Sequence, residues 1–308
     1  MSLNRSPLLV LAIAGGLLSF SQGLPAQPPA APAPPAAPAK PVEAQPAVSG
    51  EKLPTGKEVF AKALEATGTE KARKELKTRV TSGTIKIESQ NIEGKFEFKI
   101  GEDRRMINTV DLGDMGKVVR WTDGKKGAEA QPGGQARLLT GDDLLDALRN
   151  ATLFPESTPD AFFKSVETKG VEKVDGKDCY KVETTSPSGE KRSWFYSKET
   201  GLLAKWSSVK KRGPMEVTTD TLVSDWKEVD GVKIAMTQKQ VNSVGEMSFE
   251  IVIHADKVEH NTKLTDADLA APDEINEVLS GDTKPNQDAK PDAPSEKPER
   301  PKHKPDGK

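Results

Sequence analysis

Two periods divide the chain. Val59, Phe60, Ala63 and Leu64 fall on one helical face, preceded by a Thr55–Glu58 capping box and closed by Gly68. A second short helix is predicted over Glu70 to Leu76. After Lys77 the period drops to two. Ile85 and Ile87 alternate with Lys86 and Glu88, and Phe96, Phe98 and Ile100 alternate with Glu97 and Lys99. Met247, Phe249, Ile251 and Ile253 alternate with Ser248, Glu250 and Val252. Such alternation marks an antiparallel sheet with one buried and one wet face. Asp123-Gly124, Asp175-Gly176, Ser188-Gly189 and Asp230-Gly231 punctuate the runs, and Asp-Gly pairs suit tight hairpins. About nine or ten strands are expected between Arg79 and Glu259.

The strands are interrupted once. Thr140 and Asp143 repeat the capping pattern, Leu144, Leu145 and Leu148 form an amphipathic stripe, and Pro155 and Pro159 end it. Asp142 and Asp143 suit the positive end of that helix. The order predicts an α+β fold, mainly antiparallel β. It would be one strongly curved sheet with helices packed on its concave face.

The two ends of the chain read differently. Residues 1–26 form a signal peptide, with Arg5 before an apolar run from Leu8 to Phe20 that is short for a bilayer span. Residues 27–52 are a Pro/Ala-rich linker, extended and semi-rigid. Residues 280–308 are a Lys/Asp/Pro-rich tail too polar to repay the entropy of folding. One β-domain over 53–279 remains. The expected location is extracytoplasmic, periplasmic for example, with no stable membrane span once the signal is cut.

Charge and chemistry exclude several classes. The net charge of −2 leaves no one-signed field, which argues against nucleic acid. Lys125-Lys126 and Lys210-Lys211-Arg212 read as solvated turn or edge residues. Cys179 is the single cysteine, so no internal disulfide exists. Counting by two places it with Lys181 and Glu183, opposite Tyr180 and Val182, and so less buried than most free cysteines. His254 and His260 share a face only if their strand runs that far, and no carboxylate cluster or second cysteine accompanies them. Gly133-Gly134 lacks the strand–glycine–helix context of a phosphate loop. No catalytic residue, metal or cofactor is expected.

Several segments carry a family likeness. Gly176-Lys177-Asp178-Cys179-Tyr180-Lys181-Val182, Trp194-Phe195-Tyr196, and Glu199-Thr200-Gly201-Leu202-Leu203 resemble the outer-membrane lipoprotein-sorting-protein-like family. So do Ser82-Gly83-Thr84, Ile92-Glu93-Gly94-Lys95-Phe96, the run from Asp225 to Ile234, and Leu269-Ala270-Ala271-Pro272. The resemblance covers Leu53 to Ile275. It implies an incomplete, unclosed β-barrel around a hydrophobic cavity, with helices as plug and lid. In the family's carriers that cavity holds lipoprotein acyl chains. Long biased ends depart from the family pattern, and an aromatic share of 5% suggests an aliphatic lining.

Candidate cavity residues are Phe96, Phe98, Ile100, Met106, Trp121, Trp206, Met247, Phe249 and Ile251, all of them types that equally build a core. Leu144, Leu145 and Leu148 are lid candidates. The expected function is a non-enzymatic binding protein holding a lipid, acyl chain or lipoprotein. The alternative is an envelope protein-interaction or stress-sensing module of the same fold without lipid cargo.

Overall fold

The computed structural model describes residues 52–133, 136–212 and 215–281. The segment read as a signal peptide, nearly all of the one read as a linker, and the residues beyond 281 lie outside the described residues. The chain opens with α1 (Gly56–Thr67) and α2 (Glu70–Glu75). Six strands follow: β1 (Arg79–Ile87), β2 (Ile92–Ile100), β3 (Arg105–Asp111), β4 (Lys117–Asp123), β5 (Gly127–Ala130) and β6 (Arg137–Leu139). After α3 (Gly141–Asn150) come β7 (Ser165–Val174), β8 (Lys177–Thr185), β9 (Lys191–Ser197) and β10 (Leu203–Arg212). The chain continues through β11 (Met215–Val229), β12 (Val232–Val244), β13 (Met247–His260) and α4 (Asp273–Ser280).

All strands join one antiparallel sheet of 13 strands, in the order β6-β5-β4-β3-β2-β1-β13-β12-β11-β10-β9-β8-β7. β1 pairs with β13, so the last strand closes back beside the first. β6 and β7 remain unpaired edges, and the sheet is an unclosed, curved α+β structure. The strand count exceeds the expected nine or ten in part because β5 and β6, with 4 and 3 residues, are too short to display alternation.

Local chemistry sets the joints. The Thr55 hydroxyl accepts from the Glu58 amide while the Glu58 carboxylate accepts from the Thr55 amide. Gly68 ends α1 in an extended conformation, and a Cβ there would sit 2.6 Å from the Gly231 carbonyl oxygen. Asp175 and Gly176 (φ 47° and 77°) and Asp230 and Gly231 (51° and 77°) supply paired positive φ angles for two tight hairpins. At Asp123-Gly124 only the glycine is left-handed, and the Asp123 carboxylate accepts from the amides of Lys125 and Lys126.

Both faces of the sheet are covered. Inward, Ile85, Ile87, Phe96, Val110, Ile251 and Ile253 pack together, and α1 sets Val59, Phe60 and Ala63 on Val182, Trp194 and Trp206. Outward, α4 lays Ile275, Val278 and Leu279 on Val119, Trp121, Ala128 and Ala130. The sequence reading placed helices only on the concave face and missed α4. Another outward cluster joins Cys179 to Val174 and Phe195. Cys179 is therefore fully buried, against expectation. Its parity with Lys181 is as read, but the chains of Lys181 and Lys205 reach over the Phe195 ring and keep that face dry.

A bulge corrects a second reading. The β1–β13 register shifts between Ser82 and Gly83, whose partners are Lys257 and Ala255. The extra residue, Asp256, reverses the side-chain parity. His254 pairs with Thr84 and stays 41% exposed, whereas the side chain of His260 pairs with Arg79 and is 1% exposed. The two histidines do not share a face.

Candidate functional site

Register defines what the inward face presents. Phe98 lies opposite Thr81, and Phe96 opposite Gly83, which in turn faces Ala255. Further round, Gln240 pairs with Thr221, Thr221 with Trp206, and Trp206 with Trp194. Where β1, β2 and β10–β13 face the segment from Arg149 to Glu156, an open cleft of about 290 Å³ remains. Six aromatic side chains line it: Phe96, Phe98, Phe154, Trp194, Trp206 and Trp226. Leu153, Leu203, Val223, Ile234, Met236 and Ile253 are among the aliphatic side chains that share the lining. Aliphatic residues outnumber the aromatic ones in this lining, in line with the composition, and the sheet gathers several of the few aromatic residues beside them.

Helix α3 lies across the open side, on the path from edge strand β6 to edge strand β7. Charge holds it to both halves of the sheet. Asp143 accepts from Arg137 of β6 at 3.1 Å and from Lys210 of β10 at 3.3 Å. Asp146 accepts from Arg192 of β9 at 2.9 Å and from Lys210 at 3.4 Å. Arg120 donates to the Asp143 carbonyl at 2.7 Å. Burial alone raises the Asp143 carboxyl, but Lys210, Arg137 and Arg120 overcome it and hold the group below its usual range. The same balance, with Arg192, Arg149 and Lys210, holds Asp146 far down. Two expectations fail here. Thr140 makes no side-chain cap, and the Asp143 carboxylate accepts from Arg137 and Lys210. Lys210, read as a solvated edge residue, is 17% exposed and ion-paired.

The inward face is not uniformly apolar. Asn108, Thr221, Gln240 and Asn242 are buried, and each keeps a side-chain polar atom without a hydrogen-bond partner among the described residues. Glu129 is 1% exposed and its carboxyl is raised, burial outweighing Arg120 and Arg137. Among the described residues no group of three or more metal-ligating side chains occurs.

The structure distributes the sequence candidates widely. Phe96, Phe98 and Trp206 line the cleft. Ile251 is buried in the inward core, with Phe249 packed against it. Ile100 and Met106 pair across β2 and β3 and are buried, but they do not line the cleft. Trp121 lies outward, its indole nitrogen donating to the Leu269 carbonyl at 2.9 Å. Met247, at the end of a hairpin, is 68% exposed. Its alternation is real, but the strand has already left the sheet's covered part. Leu144, Leu145 and Leu148 are half-buried on α3; Leu145 lines a small second cavity beneath the helix. Sequence reasoning missed Arg79, Arg149, Phe154 and Trp226, which line the cleft without belonging to an alternating apolar run.

Among solved structures the chain is similar to a LolA superfamily protein from Nitrosomonas europaea, at 12% identity and a TM-score of 0.50. That match covers 71% of this chain and 99% of the other. It is also similar to a putative outer membrane lipoprotein-sorting protein domain from Vibrio parahaemolyticus, at 13% identity and a TM-score of 0.49, over 70% and 97% of the two chains. A DUF1329 family protein from Desulfovibrio piger aligns at 16% identity and a TM-score of 0.47, over 70% and 96%. No protein-family model and no curated protein sequence matches the chain. The fold is LolA-like: an unclosed antiparallel sheet wrapped around an inward face. Among the described residues no helix is long and apolar enough to cross a membrane.

Proposed function

We propose that this domain is a non-enzymatic, extracytoplasmic binding protein that holds the acyl chain of a lipid or lipoprotein in the cleft between β1, β2 and β10–β13. The observation that carries the reading is the cleft itself: a trough of about 290 Å³ on the inward face of an unclosed sheet, lined by aromatic and aliphatic side chains. That volume is at the small end of ligand pockets, about 300–1,000 Å³, and suits one chain. The LolA-like fold supports a carrier, and an apolar trough binds by burial without a nucleophile or a metal. Residues 1–26 would direct export, and residues 27–52 would hold the domain away from its neighbours.

The test is to purify the full chain from an envelope fraction without detergent, extract it with organic solvent, and analyse the extract by mass spectrometry. Stoichiometric acyl lipid is the expected result. A lipid-free protein that also ignores added lipid overturns the reading in favour of a protein-interaction module.

A further inference from the structure

Arg79 is unlike the other inward arginines. Arg137 is paired with Glu129 and Asp143, Arg192 with Asp146, and Arg149 stacks over the Trp194 ring at 5.1 Å. Arg79 lines the cleft, its Nε is out of solvent without a hydrogen-bond partner, and its side chain has no ion pair among the described residues. Burial pushes its guanidinium down to about 10. An unpaired cation in a mainly apolar trough is costly and calls for a partner.

The neighbours supply none. His260 faces Arg79 across the strand pair and gives its own bond to Asp230. The cleft's carboxylate, Glu156, accepts from the Tyr196 hydroxyl at 3.3 Å. Among the described residues lining the cleft, Arg79, Arg149 and Lys233 stand against that one carboxylate. The cation also has a direction. Arg79 begins β1, and on the same face come Thr81 beside Phe98, then Gly83 between Phe96 and Ala255. At about 3.4 Å per residue these pairs lie roughly 7 and 14 Å along the strand from Arg79. Gly83 lets the Phe96 ring pack close to β1, since a Cβ there would stand 2.8 Å from that ring.

We propose that Arg79 makes the cleft selective for single-chain amphiphiles with an anionic head, carboxylate or phosphate, with the head on the guanidinium and the chain along Phe98 and Phe96. The inference rests on the acyl-binding reading and adds the head group to it.

The experiment titrates the full chain with dodecyl phosphate, dodecyl maltoside and inorganic phosphate, each below any micellar concentration, and follows tryptophan emission. Arg79→Gln and Arg79→Lys are measured beside the unchanged protein. The expected result is that dodecyl phosphate binds about tenfold or more tighter than dodecyl maltoside. Arg79→Gln removes that preference, while Arg79→Lys keeps most of it. Equal binding of the two amphiphiles by the unchanged protein overturns the head-group inference alone, whatever the folding of the variants. So does a preference that survives in Arg79→Gln. Inorganic phosphate binding as tightly as dodecyl phosphate points to a free-anion site and overturns the amphiphile. Failure of every amphiphile to bind overturns the acyl-binding reading as well.

Discussion

Lys210 places its ammonium nitrogen 3.3 Å from the Asp143 carboxylate, so a strand near one end of the sheet grips the helix that follows the other. The same carboxylate receives Arg137 from β6, and Asp146 receives Arg192 from β9. An open sheet leaves its two ends free to part, and α3 ties them through charge instead of strand pairing.

Loss of a carboxylate from this tie strands its cations. Asp146→Asn leaves Arg192 and Lys210 half-buried with weakened partners and is expected to cost about 3 kcal/mol. Lys210→Met is expected to cost less, because Asp143 keeps Arg137 and Asp146 keeps Arg192. Urea denaturation of both variants checks the order; equal losses, or none, would sink the ionic tie.

His260 should make stability depend on pH. Burial lowers its pKa from 6.5, against the opposing bond to Asp230. A base depressed by folding is more protonated when unfolded, so stability is complete above about pH 6.5 and declines as pH falls through that value toward the folded pKa. Denaturation midpoints of His260→Gln across that window should fall less steeply with acid than those of the unchanged protein. Parallel curves would contradict the burial of this imidazole.

The Cys179 thiol, buried and pushed up by desolvation, is expected to stay unreactive toward an exposed-thiol reagent in the native protein. It should react stoichiometrically on unfolding. Rapid labelling of the folded chain would show that the outward cluster with Val174 and Phe195 does not form.

Gly83 accommodates a close backbone approach at the β1–β13 bulge. A Cβ would stand 2.0 Å from the His254 carbonyl oxygen. Gly83→Ala is expected to destabilise by about 3 kcal/mol or more, by overpacking a site that backbone bounds. A thermal midpoint within a degree of the unchanged protein would refute that packing.

Much of the architecture was legible because its cause is local. The Thr55–Glu58 box, the Asp175-Gly176 and Asp230-Gly231 hairpins and the alternation through Phe96 and Phe98 are each written within a few residues. What escaped was nonlocal. The bulge at Asp256 reverses the parity of His260, and α4 covers an outward face whose Val119 and Trp121 had no visible partner in sequence. Lys210 reads as one charge in a basic run until α3 brings Asp143 and Asp146 to it. Of the sequence candidates Phe96, Phe98 and Trp206 line the cleft, but Arg79 was not legible, because an arginine starting a strand is ordinary until the sheet shows that nothing among the described residues pairs with it.

The central claim is that the cleft takes an acyl chain, and tryptophan emission reads it most directly. Trp194, Trp206 and Trp226 line the cleft, while Trp121 packs on the outward face. Titration with dodecyl maltoside below its micellar concentration should shift the emission of the unchanged protein and of Trp121→Phe alike. Phe98→Asp, which puts a charge on the trough floor, should abolish the shift while the protein stays folded by circular dichroism. An unchanged spectrum at saturating amphiphile, or a shift that survives Phe98→Asp, would contradict the account.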